Sequence, residues 1–349
     1  LIASMLLLGV FRFTHQARRA PLDIALTLCV LLALLAFWSL DRRSNSASSA
    51  SKGRLLALHG AVGLGLMIKG PVAALAYLVI ILFLVWERRT SDVRRVFPWW
   101  GALVAVAPLV LWFSASLLLA PEGYLEEAAG ENLWTRFFSG LHHPRPIYYF
   151  LYQLPLDFIP WTPVALAGIV FAFRAPALGE THRPSQNHTN RFLLVWVGTF
   201  FAFFSISAEK RGLYLLPAFP ALALMGAGWL SHQLDQRRLP LWLSGGAFLV
   251  LLAVAVAGLL GIMEIGLNSL PMGLVELPRL FFAGVGGVGF LSASGLVWWH
   301  WLKPHTGREI TLLLIAPIVL ECFILFSLFP AIDHQKSYRP IAEVVADFT

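Results

Sequence analysis

The sequence predicts an all-α integral membrane protein, and three observations carry the prediction. Hydrophobic residues make up 58% of the chain and charged residues only 13%, where soluble domains carry about 25% charged residues. The mean hydropathy is +0.72. Apolar runs long enough to cross a bilayer, about 20 residues of helix, recur along the chain. The thirteen tryptophans suit belts at the membrane–water interfaces. A net charge of +7 would point to nucleic acid in a soluble protein. Here its distribution across the membrane matters more than its sum, and no nucleic-acid partner is expected. Cys29 and Cys322 both lie in apolar runs, which argues against a disulfide framework or a thiolate zinc site. Neither a phosphate-binding glycine loop nor an internal repeat is visible.

In order, the apolar runs predict a partial span over 1–12, then spans over 22–40, 55–68, 72–86, 96–120, 158–173, 192–207, 213–230, 239–261, 280–300 and 310–330, about eleven in all. The intervening loops alternate between two sides. Loops 41–54, 87–95, 174–191, 231–238 and 302–309 carry 15 Lys/Arg against 6 Asp/Glu. The loops of the other side, with Asp23, carry 11 against 12. The positive-inside rule makes the first set cytoplasmic. Those loops read as connectors: 44–51 is Ser/Asn/Ala-rich, and the polar stretch 174–191, with His182 and His188, reads as a mobile loop. Leu1 stands in mid-helix and residues 337–349 read as the start of a soluble segment. The expected organisation is therefore a transmembrane domain over 1–330 and the start of an extracytoplasmic segment over 331–349, within a longer chain.

The outer side concentrates the chemistry. Arg18-Arg19-Ala20-Pro21-Leu22-Asp23 puts a proline at a helix start and a carboxylate in its first turn. The helix dipole favours an anion there, so Asp23 reads equally as a helix-stabilising acid or as a carboxylate at a cavity mouth. Lys69-Gly70-Pro71 lies between runs of 14 and 15 residues, about 21 and 23 Å of helix. These are shorter than the roughly 30 Å hydrocarbon core, which predicts a sunken turn whose lysine needs a phosphate or carboxylate partner. Loop 121–157 has an acidic first half, then Arg136, His142, His143 and Arg145, and ends in Tyr148-Tyr149-Phe150-Leu151-Tyr152. That last piece predicts an amphipathic helix on the membrane surface. The stretch Ser205–Pro217 is a short turn carrying Glu209, Lys210 and Arg211, with Tyr214 one step into the next run. It reads either as a solvated turn or as one wall of a phosphate site, since lysine neutralises phosphate as a point charge and arginine binds it through two parallel hydrogen bonds. Glu321 sits in mid-span, apart from these.

These motifs resemble the polyprenyl-phosphate-dependent glycosyltransferases of the C superfamily, among them the bacterial lipid A aminoarabinose transferases and the protein O-mannosyltransferases. The resemblance rests on Arg19 to Asp23, on Lys69-Gly70-Pro71, and on Glu131-Asn132 to Arg136-Phe137 followed by Tyr148-Tyr149 and Pro160-Trp161. It rests also on Ser207, Lys210, Arg211, Tyr214 and Pro217, and on Ser337-Tyr338-Arg339-Pro340. It implies a thirteen-span fold of which the first two spans are absent here, and a chain similar to enzymes of the bacterial cytoplasmic membrane with an extracytoplasmic active face. The implied donor is a polyprenyl-phosphate sugar and the implied acceptor a lipid, a glycan or a protein. Lys69, Arg136, Lys210, Arg211 and Tyr214 would hold the donor phosphate. Asp23 would assist as a carboxylate, the family's acidic first outer loop being absent, and Tyr148, Tyr149 and Trp161 would contact lipid or the outer loop. Metal dependence stays open, with Asp23, His142 and His143 as ligand types. A multi-spanning transporter of lipids or small molecules, or a non-catalytic assembly subunit, are the rival expectations.

Overall fold

The computed structural model describes residues 1–41, 49–119, 145–174 and 184–236, together with Leu314, Pro317 and Ile318. The expected spans over 239–261 and 280–300, nearly all of 310–330, and residues 331–349 lie outside the described residues. So do Arg136, His142 and His143.

The described chain is built of α-helices and short 3₁₀ turns. The longer helices, in order, are α1 (Ile2–Leu8), α2 (Phe11–Arg19), α3 (Leu22–Asp41), α4 (Ser49–Lys69), α5 (Leu75–Trp86), α6 (Trp99–Leu119), α7 (Tyr149–Asp157), α8 (Thr162–Arg174), α9 (Pro184–Ile206) and α10 (Phe219–Asp235), with a single helical turn Val93–Val96 before α6. Among the described residues, five apolar helical stretches are long enough to cross a membrane, and a sixth results if α7 and α8, bent by 116°, are taken as one broken span. The chain is an integral membrane protein.

The chain divides into two compact units. Residues 1–15 and 159–163 belong to the first. Here the expected single span over 1–12 is broken: α1 stops at Gly9 and α2 begins at Phe11. Gly9 lies against the indole of Trp161, and a β-carbon there would overlap the ring. Trp161 is 1% exposed. Of its two expected roles, contact with lipid or with the outer loop, the first does not fit a buried indole: it packs inside the protein at the bend before α8.

Residues 16–158 and 164–230 form the second unit. In α3 the residues Leu26, Val30, Ala33 and Phe37 are buried, while Leu28, Leu32 and Leu35 are exposed. Both faces are apolar because one meets protein and the other meets lipid. With lipid as the alternative solvent, helices associate through close packing at small residues. A β-carbon at Gly63 of α4 would overlap the Ala105 backbone of α6, and one at Gly168 of α8 would overlap the Met225–Gly226 backbone of α10.

The apolar stretch Lys52–Trp86 is 35 residues long, yet it reverses at Lys69-Gly70. Gly70 has φ +66°, a left-handed value that glycine adopts without strain. Tyr77 Oη donates to His59 Nδ1 at 2.7 Å, whereas eighteen residues of straight helix would separate the two by about 27 Å. His59 Nε2 donates to the Val96 carbonyl at 3.1 Å, which closes a buried tie between α4, α5 and the short helical turn that precedes α6. The expected sunken turn is corrected in one respect. Helix α4 runs back to Ser49 and has 21 residues, about 31 Å, so helix length alone no longer places Lys69 below the surface.

The ends of α3, α5 and α9 meet in a charged network that the sequence hid. His188 Nε2 donates to Asp41 Oδ2 at 2.5 Å and Nδ1 donates to Glu87 Oε2 at 3.0 Å. Arg89 bridges Asp41 and Asp92, and Arg191 donates to Glu87 at 2.8 Å. Stretch 174–191 was expected to be a mobile loop throughout. Its last part is instead the first two turns of α9, because Pro184 stands at the helix start, where a missing N–H costs nothing. His188 then stacks on Trp38 and meets the edge of Phe83. Burial opposes ionisation of Glu87, but hydrogen bonds from Arg191 and His188 and their charges outweigh it and hold its pKa below the ordinary 4.5. A depressed carboxyl stabilises the fold above its unfolded pKa and loses that contribution as pH falls through the folded value. The melting temperature in detergent should therefore drop below about pH 4.5, and less steeply in Glu87→Gln; parallel pH profiles would contradict the assignment.

Candidate functional site

At the opposite ends of these helices the second unit assembles most of the residues singled out from the sequence. Asp23 lies in the first turn of α3, buried and 9% exposed. Thr27 Oγ1 donates to its carbonyl at 2.7 Å, the usual back-bond of a helical threonine. Lys69, the last residue of α4, is ion-paired with the Asp23 carboxylate. The lysine that needed an anion thus finds one inside the protein, 46 residues earlier in the chain. Its ammonium also lies 4.6 Å from the centroid of the Tyr214 ring, within the range of a cation–π attraction.

Tyr214 is set by the chain after α9. That helix ends at Ile206, and Gly212–Ala218 then forms a 3₁₀ turn leading directly into α10. Trp196 Nε1 donates to the Pro217 carbonyl at 2.9 Å, fixing the turn to α9. The Tyr214 ring leans on Phe204, with centroids 5.1 Å apart. Its hydroxyl donates to Glu209 Oε1 at 3.4 Å, and Arg211 Nε is 3.6 Å from the same oxygen. Asp23, Lys69, Tyr214, Glu209 and Arg211 therefore form one chain of contacts, with the cations and acids alternating about the tyrosine.

The structure does not treat the three basic side chains alike. Arg211 is half exposed, with 49% of its side chain accessible, and its terminal amino groups make no hydrogen bond among the described residues. Lys210 is buried. Its ammonium donates to the Arg145 carbonyl at 3.0 Å and to the Ser207 carbonyl. Burial pushes its pKa below that of an exposed lysine. Arg145 N donates in return to the Ala208 carbonyl at 3.4 Å. Lys210 thus clamps the start of the 145–157 segment onto the turn, and its charge faces backbone carbonyls.

That segment carries the aromatic residues expected to meet lipid. Tyr148 is 58% exposed, while Tyr149 is half-buried under the Arg145 guanidinium at 5.8 Å from its ring centroid. Helix α7 buries Phe150 and Asp157 and exposes Leu151, Tyr152 and Leu156, an apolar outer face. For a metal, the described residues contain no group of three His, Cys, Asp or Glu side chains that could hold an ion. Asp23 is instead occupied by an ammonium, an arrangement that does not fit a cation there.

Sequence reasoning missed two features. Glu209 was seen only as one charge of a turn, yet it is 5% exposed, and its Oε2 has no hydrogen-bond partner among the described residues. An acid flanked by Ser207-Ala208 and Lys210 has no pattern that announces burial. The inward turn of Lys210 was equally invisible, because its acceptors are main-chain carbonyls.

Residues 1–124 match the family described as dolichyl-phosphate-mannose-protein mannosyltransferase. The chain is 27% identical over 295 residues to an undecaprenyl phosphate-alpha-4-amino-4-deoxy-L-arabinose arabinosyl transferase of Erwinia tasmaniensis, covering 80% of this chain and 48% of that protein. It is 28% identical over 350 residues to a transferase of the same name from Pseudomonas fluorescens, covering 95% of this chain and 59% of that protein. Among solved structures it is similar to ArnT from Cupriavidus metallidurans bound to undecaprenyl phosphate, with a TM-score of 0.64 and 21% identity over 91% of this chain and 56% of that one. The apo ArnT structure matches with the same score. At that identity the likeness is one of fold. The chain spans about half the length of the curated relatives it matches.

Proposed function

We propose that the chain is a PMT-like glycosyltransferase of the C superfamily that moves a sugar from a polyprenyl-phosphate donor to a lipid, glycan or protein acceptor at the extracytoplasmic face of a bacterial cytoplasmic membrane. The observation that carries the reading is the meeting of Lys69, Tyr214 and Arg211, from sequence-distant helix ends, around two acids at one end of the bundle. The names of the curated relatives supply the donor class, and ArnT, bound to undecaprenyl phosphate, shares the fold.

In this reading an acceptor oxygen attacks the anomeric carbon and the bond from that carbon to the phosphate oxygen breaks. The electron pair leaves with the phosphate, and configuration inverts. Negative charge grows on the leaving group, so cations fixed beside it lower the barrier. Arg211 offers its guanidinium fork and Lys69 its point charge, with the Tyr214 hydroxyl as a further donor. Lys210 positions the turn that carries Arg211 by holding the carbonyls of Ser207 and Arg145. Arg136 would supply another cation from the outer loop. Asp23 orients Lys69 and keeps its charge tolerable in a half-buried site. With Asp23 so engaged, the proton of an acceptor hydroxyl goes to a carboxylate elsewhere in the whole protein.

The test uses full-length protein in detergent or liposomes with an undecaprenyl-phosphate-linked sugar. Arg211→Ala should weaken binding of undecaprenyl phosphate about tenfold or more, as expected for losing one charge-assisted contact, and should lower transfer in parallel. Binding and transfer both left at wild-type level would remove Arg211 from the donor site.

A further inference from the structure

We propose that Glu209 binds the sugar of the donor: its unpartnered oxygen receives a hydroxyl or ammonium group of the glycosyl unit attached to the phosphate. The inference rests on the donor reading above.

Glu209 is the one acid of the contact chain whose charge is left poorly matched. Asp23 has Lys69 as a close partner. Among the described residues, Glu209, 5% exposed, has only Tyr214 Oη at 3.4 Å and Arg211 Nε at 3.6 Å, both on Oε1. Charge-assisted hydrogen bonds normally close to about 2.7–2.9 Å, so a carboxylate placed solely to hold these two groups would sit nearer to them. The neighbouring Lys210 does not neutralise it either, since that ammonium points to the carbonyls of Ser207 and Arg145. Oε2 is buried and has no hydrogen-bond partner among the described residues. Buried acceptors are nearly always paired, so an exception asks for an explanation; a ligand group arriving beside Arg211 and Tyr214 supplies one.

The chemistry of that partner follows from its surroundings. A carboxylate accepts hydrogen bonds and repels anions, so it receives a donor or a cation and not the phosphate itself. A glycosyl phosphate carries hydroxyl groups, or an ammonium group in an amino sugar, within a few ångströms of its phosphate. Glu209 stands one tyrosine side chain away from Lys69 and directly beside Arg211. A phosphate held by those cations would therefore bring its sugar alongside Oε2.

Full-length wild-type and Glu209→Gln protein would be titrated with three lipids: undecaprenyl phosphate, the same phosphate carrying 4-amino-4-deoxy-arabinose, and the same phosphate carrying mannose. The expected result is at least a fivefold loss of affinity for a sugar-bearing lipid in the variant, with binding of bare undecaprenyl phosphate unchanged or tighter. The bare lipid also reports that the variant is folded. Loss for the amino sugar alone identifies an ammonium contact, and loss for both sugars a hydroxyl contact. An equal loss for all three lipids would overturn the proposal and make Glu209 a holder of Arg211 and Tyr214. No loss for either sugar lipid would overturn it as well. Failure of bare undecaprenyl phosphate to bind wild-type protein is the distinct outcome that defeats the donor reading, and the sugar contact with it.

Discussion

Lys69→Ala is expected to destabilise the protein by about 2 kcal/mol and to weaken undecaprenyl phosphate binding more than tenfold. Removing one partner of a fully buried ion pair costs about 3–5 kcal/mol because the other charge is stranded. Here 24% of the lysine side chain and 13% of the aspartate are accessible, which brings the cost to the lower figure. Truncation leaves Asp23 uncompensated at the head of α3 and takes the cation from the Tyr214 ring. The double variant Asp23→Ala/Lys69→Ala should recover part of the lost stability and none of the lost binding. A melting temperature that falls in the single variant and partly recovers in the double, with binding equally weakened in both, would separate the two roles of Lys69. Normal binding in Lys69→Ala would detach it from the phosphate.

Asp41→Ala should have the largest effect on stability, about 3 kcal/mol, with no direct effect on donor binding. The Asp41 side chain is 3% exposed and accepts from both Arg89 and His188. It ties the end of α3 to the start of α9 and to the residues after α5, at the opposite ends of the helices from Lys69. Thermal unfolding in detergent checks the loss. Undecaprenyl phosphate affinity of the protein that remains folded should stay near wild type, and a selective loss of affinity would show that the ends communicate.

Much of this architecture was legible because membrane spans announce themselves by length. The run 22–40 became Leu22–Asp41, and all but the last residue of 192–207 lies within Pro184–Ile206, whereas the run 158–173 became the shorter helix Thr162–Arg174 after a sharp bend. The alternation of loops was legible from charge. It separated Asp23, Lys69 and Lys210–Tyr214 from Asp41, Glu87 and His188, and the structure groups the same residues at opposite helix ends. What stayed hidden depended on partners far away in sequence. His188 sits in a polar stretch that reads as a loop, and its ion-pair partners Asp41 and Glu87 lie 147 and 101 residues earlier. Trp161 was expected to contact lipid or the outer loop, and the structure buries it at the bend before α8. Lys210 and Arg211 are adjacent and chemically alike, yet the turn sends one to main-chain carbonyls and leaves the other half exposed.

The central claim is that the Lys69–Tyr214–Arg211 end of the bundle holds the phosphate of a polyprenyl donor. A structure of the full-length protein with undecaprenyl phosphate tests it most directly. The account predicts phosphate density within hydrogen-bond distance of Lys69 Nζ and the Arg211 guanidinium, with Lys210 still on the Ser207 and Arg145 carbonyls. Phosphate seated elsewhere, with Lys69 still closed on Asp23 and Arg211 still turned to Glu209, would contradict it.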